Sequence, residues 1–193
     1  MEQDFEVRIA AAVVAHERGN NQKVDRDDLA TAADIVERLF PQPGPRGDVV
    51  SVLGELIARA HARDDRRWAF TLFRTKARLN VGAVHVAVLL PGVLFLVVDP
   101  TKLDEATRAE LGPRWHKKKA DFSFTIQGAE LYVPAEDVAR LWPVLRAASL
   151  AFVDSAAKRE TSFWNSHSPG LIAYLERELG SPLPRPAERR FRL

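Results

Sequence analysis

The 193-residue chain carries 28 Lys and Arg against 26 Asp and Glu, 46% hydrophobic residues and no cysteine. That composition excludes a disordered or collagenous chain and gives enough apolar side chain for a sizeable core. Without a thiol there is no disulfide, no thiolate nucleophile and no Cys-ligated metal or cluster. Charge is uneven. Residues 1–66 hold 9 basic and 13 acidic side chains, a net of −4, and residues 67–193 hold 19 and 13, a net of +6. Such an asymmetry points to one half that faces a polyanion and another that is solvated or meets a different partner.

The acidic start, Met1 to Glu6, leads into no apolar run of signal-peptide length, so a cytoplasmic, reducing location is expected. Phe5, Ile9, Val13 and His16 recur at helical spacing and predict a helix over 3–18, stopped by Gly19-Asn20-Asn21. Asp25 is read as the cap of a second helix with Leu29, Ala32, Val36 and Leu39 inward, ended by Pro41 and Pro43-Gly44-Pro45. A third helix is expected over 48–62. Residues 1–66 thus read as an acidic three-helix module.

From Arg67 the period changes from 3.6 to 2. Trp68, Phe70 and Leu72 share one strand face, and a strand continuing in register carries Arg74, Lys76 and Arg78 on that face, about 7 Å apart. The competing reading ends the pairing near Phe73 and scatters the three charges. The apolar span Val81 to Val98 is split by Pro91-Gly92 and reads as two strands and a turn, not a lipid-crossing helix. Residues 101–111 read as a short exposed helix and Arg114 to Lys119 as a basic loop. A hairpin follows, with 121–127 and 131–133 as its strands and Gly128-Ala129 as its turn. Residues 135–142 are expected to be helical up to a break or kink at Pro143, with another helix to about Lys158. Ser168-Pro169 starts a last helix that Gly180 stops. Residues 67–181 form the α+β part with a basic surface, and 182–193 a Pro-rich, basic, extended tail. The fold class is therefore α+β, an N-terminal three-helix module on an antiparallel sheet of about five strands, with C-terminal helices.

Three stretches could carry chemistry. Arg114-Trp115-His116-Lys117-Lys118-Lys119 combines cations that neutralise phosphates with an indole that stacks a base; the alternative is a solvated loop with Trp115 in the core. Arg74, Lys76 and Arg78 would line a groove wall if they shared a face. Thr161 to Pro169 precedes a helix start and follows Lys158 and Arg159, so Asn165, Ser166, His167 and Ser168 could hold an anion there.

The expected function is largely sequence-tolerant binding of DNA or RNA. The predicted contacts are Arg74, Lys76, Arg78, Arg114, Trp115, His116, Lys117, Lys118, Lys119, Lys158, Arg159, Asn165, His167, Arg189 and Arg190. Two other readings stay open. One is a hydrolase or phosphoryl-handling enzyme at Asn165–His167, although no G-x-S-x-G elbow surrounds the serines there. The other is a subunit of a larger assembly, docking a protein partner through the N-terminal helices. No metal, cofactor or membrane partner is expected: His16, His61, His85, His116 and His167 lack ligand spacing, Asp121 with Glu130 is a weak carboxylate pair, and no Gly-rich phosphate loop is present.

Overall fold

The computed structural model describes residues 2–18, 22–64, 67–112, 115–117, 128–158 and 167–185, with backbone alone for 2–5, 17–18 and 115–117. The class is α+β. Helices α1 (Glu2–Arg18), α2 (Leu29–Leu39) and α3 (Pro43–Arg63) precede strands β1 (Trp68–Leu72), β2 (Ala77–Val81), β3 (Val84–Leu90) and β4 (Val93–Val98). Helix α4 (Glu105–Leu111), strands β5 (Trp115–Lys117) and β6 (Ala129–Pro134), and helices α5 (Val138–Ala157) and α6 (Pro169–Leu179) complete the order. All pairings in the sheet are antiparallel, in the order β1-β2-β3-β4-β6-β5.

The sheet has six strands where about five were expected, for two reasons. The first predicted strand folds into the β1–β2 hairpin, with Leu72 opposite Ala77. In addition, part of the predicted basic loop pairs as β5 along β6, with His116 opposite Glu130. The predicted strand 121–127 lies outside the described residues. The Val-rich span is two strands joined at Pro91-Gly92, as its turn residues imply, with Gly92 at φ 67°. No helix among the described residues is long and apolar enough to cross a membrane.

Helix ends follow local chemistry more closely than the sequence reading did. Asp28, not Asp25, caps α2, its Oδ1 accepting from the Thr31 N–H at 2.8 Å. Helix α3 begins five residues earlier than expected because Pro43 and Pro45 occupy its first turn, where the missing N–H groups would have no intrahelical partner. Pro143 does not break α5, which runs from Val138 to Ala157 after a 3₁₀ turn at Ala135–Asp137. Losing one backbone bond and accommodating the ring cost about 3 kcal/mol. Burial of Leu141, Leu145, Phe152 and Val153, each contributing roughly 1.5–3 kcal/mol, outweighs that cost. Helix α6 starts and stops as the sequence indicates, with Ser168 as cap and Gly180 left-handed at φ 63°.

Register sorts the sheet into two faces. Trp68, Phe70, Leu79, Ala87, Leu96 and Leu131 share one, all buried and apolar. Helices α3 and α5 pack on each other and cover this face, and the Trp68 indole N–H donates to His61 of α3 at 3.4 Å. Arg59 and Arg63 of α3 clamp Asp154 of α5 with bonds of 2.6–2.7 Å. The helical front and the sheet therefore share one hydrophobic core. The opposite face carries Thr71, Arg78, Val88, Phe95 and Tyr132 in cross-strand line, and α1 lies over β3, β4 and β6.

Candidate anion-binding cleft

The predicted row of strand cations is not a row. Arg74 lies in the β1–β2 turn, where its guanidinium holds both oxygens of Asp25 at 2.7 and 2.8 Å. Lys76 is only 1% exposed, and its ammonium donates to the His16 carbonyl at 3.3 Å. Burial, then the neighbouring Arg78 charge, push the Lys76 pKa below its usual value. Arg78 is half-buried on β2, stacked 5.2 Å above the Phe73 ring, with its own pKa lowered by burial. Two strands and a turn replace one long strand, so alternation does not carry from Leu72 to Arg78. The scattered reading of these charges is the observed one, and a groove wall made of the three is not formed.

The other predicted contacts among the described residues also fall in separate places. Strand β5, with Trp115, His116 and Lys117, forms the sheet edge opposite β1, five strand steps or roughly 24 Å away. Lys158 is exposed at the end of α5. His167 is half-buried with its ring edge-on to Trp68 at 4.8 Å, beside β1, where the Ser168 N–H donates to the Phe70 carbonyl at 2.8 Å. Arg114, Lys118, Lys119, Arg159, Asn165, Arg189 and Arg190 lie outside the described residues, as does Asp121. The α6 start, read as an anion site, is engaged by the chain's own carboxylate. Asp27 accepts from the Gly170 N–H at 3.1 Å and from the Ser168 hydroxyl. A Cβ on Gly170 would run into the Asp28 backbone, so glycine there is what lets α2 and α6 approach this closely.

What the structure does assemble around Arg74 is a cleft of about 730 Å³ between α2, the segment leading into it and two sheet turns. Val24, Ile35, Leu39 and Pro91 give it apolar walls, and Arg26, Arg38 and Arg74 supply cations. Residue 23 makes a bridge to Phe73, and the Arg74 N–H donates to the Gln22 carbonyl at 3.1 Å, which holds the leading segment against the hairpin. Arg38 donates to the Arg74 carbonyl at 2.9 Å and approaches Asp34 at 3.7 Å. The carboxylates engaged are mostly in water, Asp25 at 80% and Asp34 at 75% exposed. Each such pair contributes between nothing and about 1 kcal/mol, so an incoming anion can displace it at small cost. No hydrogen bond or ion pair among the described residues involves Arg26. The cleft thus combines apolar surface with guanidinium forks suited to phosphate or carboxylate.

A second polar assembly lies under α1. His16 Nδ1 is 3.2 Å from the Tyr132 hydroxyl, and its ring meets Phe95 edge-on at 4.3 Å. His85 donates from Nδ1 to Asn80 Oδ1 at 2.9 Å, and its ring centroid lies 6.2 Å from that of His16. A bulge sets this geometry. Leu79 pairs with Ala87 but Asn80 pairs with His85, leaving Val86 as the extra residue and turning His85 toward α1. Among the described residues, no group of three or more His, Asp or Glu side chains is arranged to hold a metal ion.

Comparison with family models, curated proteins and solved structures finds no match to this chain. Sequence reasoning reached Arg74 but missed Arg26 and Arg38. The one local signal was Asp34 and Arg38 at helical i,i+4 spacing, which puts a guanidinium on the exposed side of α2.

Proposed function

We propose that the protein binds nucleic acid, largely without regard to sequence, through the cleft bounded by Arg26, Arg38 and Arg74. The observation carrying this reading is that three arginines, from three separate places in the chain, line one apolar-walled cleft and outnumber its two carboxylates, Asp25 and Asp34. Arginine forks neutralise backbone phosphates, and the net +6 of residues 67–193 attracts the polymer from a distance.

Fluorescence anisotropy with single- and double-stranded DNA and RNA at two salt concentrations tests it. Affinity falls by an order of magnitude or more over a fourfold rise in salt, and the double variant Arg38→Ala/Arg74→Ala binds about tenfold more weakly with a shallower salt slope. Absent or salt-independent binding defeats the reading.

A protein-docking role has its own supporting observation. Val7, Ala10, Ala11 and Val14 form an exposed apolar stripe on α1, with Val7 at 67% and Val14 at 51% exposure. Light scattering and co-purification, comparing the parent with Val7→Ser/Val14→Ser, separate this role from nucleic-acid binding.

A further inference from the structure

We infer that the α2 cleft receives one unpaired nucleotide, its base against the apolar wall and its phosphate on the arginines. The inference rests on the nucleic-acid reading above and makes it specific to strands with a free or splayed-out base. Three features support it. The cleft volume of about 730 Å³ lies within the roughly 300–1,000 Å³ of small-molecule sites, and a stacked, paired base inside a duplex is not available to such a space. Its chemistry is divided in the manner a nucleotide requires. Ile35 and Leu39 line the floor from the buried side of α2, and Pro91 at the β3–β4 turn adds an apolar ring, so this wall offers dispersion and little hydrogen bonding. The charged lining is Arg26, Arg38 and Arg74 against Asp25 and Asp34, a surplus of one positive charge, and the planar guanidinium forks donate edge-on to phosphate oxygens. Finally, Arg26 makes no hydrogen bond or ion pair among the described residues, its charge acting on Asp28 only at a distance, whereas the weak pairs of Arg74 with Asp25 and Arg38 with Asp34 can open to a competing dianion.

The probes are adenosine 5′-monophosphate, adenosine and inorganic phosphate, titrated against the full chain alone and in competition with a labelled single-stranded 12-mer. Two variants accompany them. Arg26→Ala removes a cation that makes no hydrogen bond or ion pair among the described residues, and Thr31→Trp fills the cleft from its half-exposed rim on α2. Both are checked for an unchanged circular dichroism melt, and Thr31→Ala serves as the control for position 31. The expected result has three parts. The monophosphate binds and competes, at least tenfold better than adenosine or phosphate. Arg26→Ala weakens both ligands by about tenfold. Thr31→Trp abolishes monophosphate binding while Thr31→Ala does not. If the 12-mer binds but the monophosphate neither binds nor competes, or Thr31→Trp binds both like the parent, the inference is overturned and the general reading stands. Phosphate competing as well as the monophosphate overturns it too, because the apolar wall would then contribute nothing. If no polymer binds but the monophosphate titrates and Thr31→Trp blocks it, the cleft assignment holds and the polymer reading falls.

Discussion

The two faces of the sheet are built on opposite principles. The face under α3 and α5 is apolar from Trp68 to Leu131 and is sealed by a helix pair cross-linked at Asp154. The face under α1 sets His16, Lys76, Arg78, Asn80, His85 and Tyr132 among fewer apolar neighbours, and it depends on hydrogen bonds for its order. Apolar contact tolerates small shifts, whereas a buried polar network loses most of its benefit when one partner moves. Most of the apolar burial therefore resides on the first face, and the buried lysine and its hydrogen bonds on the second.

The largest expected effect is on the apolar side. Phe152→Ala, at 1% exposure, lowers unfolding free energy by about 3–5 kcal/mol in urea melts; a loss under 1 kcal/mol would mean that the core collapses around the gap. Lys76→Met tests the polar side: it removes the buried ammonium that donates to the His16 carbonyl and lowers stability by roughly 1–3 kcal/mol at pH 7. The lowered Lys76 pKa also sets a pH dependence. Between the folded value and the usual 10.5, the unfolded chain holds a proton that the folded chain has released, so stability rises with pH through that window. The Met variant lacks the rise, and a variant as stable as the parent would show that the ammonium contributes nothing to the order of this face.

Asp154→Asn removes the α3–α5 clamp at a cost of about 1 kcal/mol, because Arg59 and Arg63 are 40% and 44% exposed. Burial opposes ionisation of Asp154, but the hydrogen bonds and charges of Arg63 and Arg59 prevail and hold its carboxyl below 3.8. Its contribution is thus fully present above that value and disappears as pH falls through the folded pKa, so acid titration of the Asn variant shows a weaker loss. Smallest of all, Arg8→Ala removes the 2.6 Å pair to Glu136 that ties α1 to the sheet end, costing at most about 0.5 kcal/mol globally. Hydrogen exchange in α1 measures it more sensitively than a melt.

Legibility in the sequence followed the same division. Elements of the apolar side were readable because period-2 alternation, Pro91-Gly92 and Ser168-Pro169 are local signals, and packing agreed with them. The β1–β2 turn at Arg74-Thr75-Lys76 contains no glycine or proline, so nothing local interrupts the alternation there. Lys76 was read as a surface cation because lysine is almost never fully buried. Pro143 reads locally as a break or kink because its cost is real, and only the tertiary burial of α5 carries the helix through it. The cleft was invisible for a different reason. Its arginines come from a connector, a helix and a turn, and no spacing in the chain announces that three such places meet.

The connector between α1 and α2 has a mechanical consequence. Asp25 goes to the β1–β2 turn, Asp27 to the start of α6 and Asp28 to the first turn of α2, so one short stretch rivets three elements that are far apart in the chain. A single nick by trypsin after Arg26 would split that rivet between its anchor points. The rate of cleavage there becomes a gauge of how firmly all three are fastened at once.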